Sequence, residues 1–406
     1  MTPSDRIDPP AWMNDQPSRR LFAALAAHGI AARFVGGCVR DAFISRPVKD
    51  EFDLAVDKPP ETVMRALEAA NIKVIPTGLS HGTVTAIADD RTFELTTLRR
   101  DVETDGRRAV VAFTDDWLAD AGRRDFTFNA LYADTDGTLY DPFDGCADLA
   151  AGRVRFIGEP DQRIAEDRLR VLRFFRFHAW YGRPPIDGAG FAACRRHAGS
   201  LGGLSGERVR KELLRTLEAS RAPDAVDAMV EAGALDHWLP EFAGTVRLRA
   251  LIEREGKAQE KVDGLRRLAA ILPGGANATA IGKRLKLSTQ EALRLDVMLA
   301  PEPVIDVAGA ERAWRRQIYT LGNALYIDRL LLAVDAPGDW RAAFAYARRW
   351  TPPELSVGGA DALKLGLTPG PKIGQLISAV ERWWIDGDFT AERRACLVQL
   401  RKLARG

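Results

Sequence analysis

Histidine and cysteine are scarce in this chain, five and four among 406 residues. The histidines (His28, His81, His178, His197, His237) are scattered and form no H-E-x-x-H. Cys38, Cys146, Cys194 and Cys396 lie far apart and make no C-x-x-C pair. A disulfide scaffold, a cysteine-rich zinc site and a histidine metal centre are therefore not expected, and the default compartment is a reducing cytoplasm. Long apolar runs are missing too. The longest clean stretch, 21–32, contains His28 and falls short of the ~18 residues of a membrane span, so no membrane association is expected. The N-terminal segment is polar and holds Asp5, Asp8 and Asp15, with no visible secretory signal. No internal repeat and no long low-complexity linker stand out. What is present is 46% hydrophobic and 28% charged, long enough for two to four domains.

Net charge is also small, +2, but it is unevenly spread. Residues 1–150 carry 17 Lys+Arg against 25 Asp+Glu, 151–220 carry 14 against 8, and 221–406 carry 27 against 23. A carboxylate excess in front can hold divalent cations, and an arginine excess behind it suits phosphate. Solvated charged faces would give the same numbers.

Periodicity divides the chain in the same way. Residues 17–32 read as an amphipathic helix, and Arg33-Phe34-Val35 as a strand stopped by Gly36-Gly37. A helix start at 39–44, a strand at 52–56 and a helix opened by Pro59-Pro60-Glu61 follow. Three further strands are expected at 82–88, 92–98 and 109–113, the first two joined by an Asp89-Asp90 hairpin turn. From Asp161 onward the pattern is helical, with candidate breaks at 272–277 and 336–338. The expectation is an α+β chain: a small head of about 150 residues with a mixed sheet, then helices.

Four segments can carry chemistry. Gly36-Gly37-Cys38-Val39-Arg40-Asp41 places two glycines between a strand and a helix, where backbone N–H groups can approach a phosphate and Arg40 adds charge one turn in. A plain strand–turn–helix reads the same, and no Walker loop is present. In Asp50-Glu51-Phe52-Asp53, Glu51 and Asp53 share one strand face at i, i+2 and can bridge divalent ions for attack at phosphorus. Asp50 shares that face only if the strand bulges. Glu94, within Phe93-Glu94-Leu95, is either a third carboxylate or a solvent-facing acid on an edge strand. Arg123-Arg124-Asp125 is either a triphosphate clamp or a helix C-terminus rich in cations. Finally, 166–176 read as one helix puts Val171, Leu172, Phe175 and Ala179 on an apolar stripe, with Glu166, Asp167, Arg170, Arg173 and Arg176 opposite. Phe174 and Phe177 lie on that polar side, so it packs against something, and arginines interleaved with aromatics suit a nucleotide.

Taken in order, GGCVRD, FDLA with PPETV, SHGTV, FELTTLR, GRRDFTFNAL, DPFDG, EDRLRVLRFFRF and ERVRKEL resemble the class II tRNA nucleotidyltransferases. That family comprises the bacterial and eukaryotic CCA-adding enzymes and bacterial poly(A) polymerases. The resemblance covers residues 33 to about 215. It implies a polymerase-type nucleotidyltransferase head (1–150), a helical neck for base recognition (151–220) and a tRNA-binding body and tail (221–406). It implies Mg²⁺ on a D-x-D pair, with Glu94 as the additional carboxylate. Gly37, Arg40 and Arg124 match nucleotide-contacting positions of the head. Asp167, Arg170, Arg173 and Arg176 match neck residues that read the base and hold the triphosphate. From Arg46 this chain has one residue more than the family before its second aspartate. Either Glu51 replaces the first aspartate or a bulge keeps Asp50 in that role; the i, i+2 rule favours Glu51 with Asp53 as the metal pair. The implied activity is template-independent CCA addition to tRNA 3′ ends from CTP and ATP. The lack of an extended arginine-rich segment at 77–83 speaks against a poly(A) polymerase. A CC-only or A-only enzyme and a non-catalytic RNA-binding protein on the same scaffold remain as alternatives.

Overall fold

The computed structural model describes residues 1–48, 51–104, 109–336 and 338–405; the side chains of residues 51, 101–104 and 109–111 lie outside that description. Two compact units emerge, Met1–Pro240 and Glu241–Gly406.

The first unit begins with β1 (Asp5–Arg6), α1 (Gln16–Ala26), β2 (Ala32–Val35) and α2 (Gly37–Phe43). It continues through β3 (Glu51–Val56), α3 (Pro60–Ala69), β4 (Lys73–Gly78), β5 (Thr83–Ala88) and β6 (Arg91–Thr97). Then come β7 (Arg99–Thr104), β8 (Ala109–Phe113), α4 (Trp117–Gly122), β9 (Tyr132–Ala133), β10 (Thr138–Tyr140) and α5 (Gly145–Ala151). The principal sheet runs β1-β10-β9-β2-β3-β6-β5-β4, and β7-β8 pair separately. Among the described residues only β3 and β6 pair in parallel within it, so the sheet is mixed as expected.

Period-two alternation decides which face is core. Phe52, Leu54 and Val56 of β3 and Phe93 and Leu95 of β6 are buried with Val63 and Leu67 of α3 and Leu21 and Leu25 of α1. Asp53 and Glu94 therefore fall on the opposite face. The β5–β6 hairpin turns at Asp89, in the left-handed region at φ 53, as the Asp-Asp pair predicts. The helix expected over 17–32 stops at Ala26, because Gly29 (φ +67) reverses the chain and returns Ile30 to the core.

The neck is α6 (Pro160–Glu166), α7 (Leu169–Tyr181), α8 (Gly188–His197), α9 (Gly206–Leu217) and α10 (Ala222–Glu231). The single helix expected through 166–176 is broken. Asp167 is extended (φ −149, ψ 105) and its carboxylate accepts from Leu169 N–H at 3.1 Å, starting a new helix. The apolar stripe of α7 is buried as expected, and so are Phe174 and Phe177 of its other side. These two pack on Phe126 and Phe128 of the head and on Phe156 just after it, with Phe156 and Phe174 stacked at 5.7 Å. The expected boundary at 220/221 falls inside the first unit, because Ala225 of α10 packs with Ala179 of α7 and Ala219.

The second unit is helical wherever it is described, from α11 (Val246–Ala258) and α12 (Gly264–Ala270) through α13 (Ala278–Leu285) and α14 (Thr289–Leu299). α15 (Glu311–Leu321), α16 (Asn323–Leu332), α17 (Trp340–Arg349), α18 (Gly359–Lys364), α19 (Pro371–Asp386) and α20 (Arg393–Arg405) complete it. The break expected at 272–277 separates α12 from α13; Pro337, within the other expected break, lies outside the described residues.

Candidate functional site

Asp53 of β3 and Glu94 of β6 are register partners on parallel strands, and both are exposed. Strand β6 lies between β3 and β5, so Glu94 is not an edge-strand acid. Two hard oxygen donors side by side on a solvated face fit a divalent ion that keeps some of its water. Glu51 opens β3, but its side chain, and all of Asp50, lie outside the described residues, so the alternative between them falls there. Among the described residues no group of three or more His, Cys, Asp or Glu side chains forms a metal cluster.

Beside Asp53 opens a cavity of about 480 Å³. One wall is the β2–α2 turn. Gly36 sits at φ +73, where L side chains are strained, and a Cβ there would meet Arg124 Nη1 at 3.5 Å. Gly37 follows, and Arg40 is buried with its guanidinium 2.7 Å from Asn129 Oδ1 and 3.0 Å from Asp41. The opposite wall is arginine-rich: Arg123 and Arg124 after α4, and Arg170 and Arg173 on α7.

Each of these cations is aimed by an acid behind it. Asp120, buried, binds Arg123 at 2.8 Å and Arg124 at 3.1 Å, and accepts from the Tyr132 hydroxyl at 2.7 Å. Burial pushes the Asp120 carboxyl up, but the two guanidinium charges and the hydroxyl outweigh it and hold it at about 2. Asp125 takes Arg173 at 2.6 Å and Asn129 Nδ2 at 2.9 Å. Burial is again overcome, here by Arg173 and Asn129, and the group stays at about 2. Arg173 is thereby kept charged despite its own burial. Cations fixed in advance stabilise developing phosphate charge without reorganising. Of the two readings of Arg123-Arg124, the helix terminus is seen, since Arg123 caps α4; both side chains also line the cavity.

Asp167 and Arg170 both line the cavity, yet with separate partners. Asp167 binds Arg208 of α9 at 2.8 Å. Arg170 binds Glu166 at 2.6 Å and the carbonyls of Arg163 and Arg123. Arg170 N–H donates to the Asp167 carbonyl at 3.0 Å, but the two do not share one helix face, because Asp167 is extended where α6 ends and α7 starts at Leu169. Arg176 departs further: it lines a neighbouring cavity, held by Glu212 at 3.1 Å. Burial and the Arg173 charge lower its pKa in spite of Glu212. Sequence reasoning missed Asp120, Asn129, Arg208 and Glu212. Asp120 was legible, three and four residues before its arginines; the α9 residues carried no local signal of facing α7.

No described helix is long and apolar enough to cross a membrane. Residues 32–155 match the family described as the poly(A) polymerase head domain, and 185–245 the probable RNA- and SrmB-binding site of polymerase A. The chain is 34% identical to the mitochondrial CCA tRNA nucleotidyltransferase 1 of Danio rerio, covering 87% of this chain and 83% of that one. It belongs to the CCA tRNA nucleotidyltransferase family. The CCA-adding enzyme of Geobacillus stearothermophilus is 30% identical over 93% of this chain and 94% of its own. The fold is also that of the family: the Bacillus stearothermophilus CCA-adding enzyme crystallised with CTP superposes with a TM-score of 0.74 at 24% identity, over 97% of this chain and 98% of that one.

Proposed function

We propose that this chain completes tRNA, adding C, C and A to the 3′ end from CTP and ATP without a nucleic-acid template. One observation supports it above the rest: Asp53, in register with Glu94, opens onto the cavity that Arg40, Arg124 and Arg173 line. In the reaction the RNA 3′-oxygen bonds to the α-phosphorus. The bond from that phosphorus to the bridging oxygen breaks, pyrophosphate leaves with the electron pair, and the hydroxyl proton passes to solvent. Arg40, Arg124 and Arg173 hold the triphosphate against Gly37. Arg176, on our reading, contributes from the neighbouring cavity. We assign Asp53 and Glu51 as the residues that would hold Mg²⁺, with Glu94 as the third catalytic carboxylate; an ion held there would lower the pKa of the attacking hydroxyl and offset charge on the leaving oxygen.

Base choice falls to Asp167 and Arg170. The carboxylate accepts from the exocyclic amine of cytosine or adenine, and the guanidinium donates to the adjacent ring nitrogen. Uracil and guanine present a carbonyl where that amine is needed, so the Asp167 carboxylate meets a second acceptor with no proton between them, and they are rejected. Arg208 anchors Asp167 for this role. The basic rear, 221–406, would hold tRNA through its phosphates and A-form shape. Four cysteines without a disulfide support a reducing, cytoplasmic setting.

The decisive assay is tRNA lacking its 3′ end, incubated with CTP, ATP and Mg²⁺. Three added residues are expected. A long A tail would make the chain a poly(A) polymerase; C-C or A alone, a partial enzyme; no pyrophosphate from folded protein, an RNA-binding scaffold. In the same assay Asp167→Ala should lose its preference for CTP over UTP while keeping some turnover, and unaltered discrimination would remove that assignment.

A further inference from the structure

Strand β9 is two residues long, and two parts of the arginine-lined cavity are tied to it. Tyr132 is in register with Val35 of β2, and the preceding Leu131 carbonyl accepts from Gly36 N–H at 3.0 Å. The turn that brings Gly36 and Gly37 to the cavity is thus pinned from this segment. The Tyr132 ring is fully buried among Val35, Leu98, Ala121 and Ala130, and Trp117 meets it edge-on at 5.7 Å. Close packing of this kind holds the ring in one place.

The hydroxyl at its end makes two bonds. It donates to Asp120 Oδ2 at 2.7 Å and accepts from Arg124 Nε at 3.3 Å. Arg124 Nη2 meets the same Oδ2 at 3.1 Å, while Asp120 Oδ1 is engaged by Arg123 Nε and Nη2 at 2.9 and 2.8 Å. Arg124 is therefore denied the two-oxygen fork that fixes a guanidinium plane on a carboxylate. Besides the bond at Nη2 it has a long contact of 3.5 Å from Nη1 to the Asn129 carbonyl. The hydroxyl at Nε supplies the second firm point. With the plane so set, Nη1 faces the glycine turn, 3.5 Å from where a Gly36 Cβ would stand. Burial raises the Tyr132 pKa and the Asp120 charge adds to it, against the Arg124 charge, so the hydroxyl keeps its proton and remains a donor to the acid.

We propose that Tyr132 is a positioning residue for the nucleotide triphosphate, its hydroxyl acting through Arg124. The inference rests on the reading above, in which Arg124 holds that triphosphate. Tyr132 has no exposed surface, so it reaches a substrate through Arg124, whose side chain is 20% exposed and lines the cavity. An arginine aimed in advance meets phosphate without first giving up rotamer freedom.

The test uses the full chain with Mg²⁺. CTP binding is measured by calorimetry without RNA, and KM for CTP, ATP and a tRNA lacking CCA is measured in the transfer assay. Tyr132→Phe keeps the packed ring and removes the hydroxyl. It should weaken CTP binding about tenfold and raise KM for CTP and ATP alike. The RNA KM and the preference for CTP over UTP should not change. In an Arg124→Met background the same substitution should weaken CTP binding by less than about twofold, because the group it aims is gone. CTP binding in Tyr132→Phe equal to wild type would overturn the proposal. So would an equal loss in both backgrounds, or a matching rise in the RNA KM, since the hydroxyl would then serve only the stability of the head. If the binding results hold but no CTP is incorporated, the transfer reaction fails while the role of Tyr132 stands. Wild type that binds no CTP would overturn both.

Discussion

Asp125 accepts from Phe126 N–H and Asn129 on one oxygen and from Arg173 on the other, so a single buried acid orients a cation that comes 48 residues later in the chain. Asp120 serves Arg123 and Arg124 in the same way. Such acids make stability depend on pH, and the sign follows from their depressed values. Both ordinarily titrate at 3.8 and in the folded chain at about 2. The folded state binds the proton less tightly than the unfolded one. The stabilisation is therefore complete above about pH 4 and is lost as pH falls through about 2, on the order of 2 kcal/mol per group. Urea unfolding followed from pH 5 to pH 2 should show the loss, and Asp125→Asn should flatten part of the slope. An identical slope in that variant would mean that Asp125 is not the titrating acid. The acids themselves were visible in the sequence. Asp120 also showed its partners, because helical spacing is a local rule; Asp125 beside two arginines did not reveal that its guanidinium comes from α7.

Helix α7 is the element on which the head and neck meet. One face buries Val171, Leu172 and Phe175; the other sends Phe174 and Phe177 into the head aromatics while turning Arg170 and Arg173 to the cavity. Phe174 has no exposed surface, stacks on Phe156 and meets Phe175 edge-on at 5.4 Å. Removing that ring from a closely packed site typically costs about 3–5 kcal/mol. Phe174→Ala should lose stability on that scale, with Phe174→Leu milder, and calorimetry on the two variants checks it; a loss below 1 kcal/mol would deny the cluster its part in the core. That this side packs was legible, because aromatics on a polar face need cover. The break at Asp167 was not, since the small cost of one Asp inside a helix does not outweigh a 3.6-residue pattern that continues on both sides of it.

Across the whole molecule each unit combines apolar packing with buried ion pairs. The head and neck rest on sheet and aromatic packing. The second unit contains a buried ionic network: Arg266 bridges Glu255 and Asp328, Arg267 binds Glu255, and Arg294 joins Asp328 to Asp263, at 2.7 to 2.9 Å. Removing one partner of such a network strands the opposite charge and costs about 3–5 kcal/mol. Asp328→Ala should therefore unfold residues 241–406 at lower denaturant while the protection of residues 1–240 is largely kept, as hydrogen exchange resolved by segment would show. Equal loss in both units would mean that they unfold as one.

The helical character of this rear half was plain from its periodicity, and β2, β3, β5, β6 and β8 of the head, its Asp53 face and the buried stripe of α7 likewise follow from spacing alone, whereas β1, β4, β7, β9 and β10 were not expected. Period two in a strand and 3.6 in a helix are local rules that need no distant residue. Tertiary structure alone decided which arginine meets which acid. Arg208 reaches Asp167 across 41 residues and Arg173 reaches Asp125 across 48. Long charged side chains take whichever partner folding brings near, and nothing in their own stretch of sequence names it.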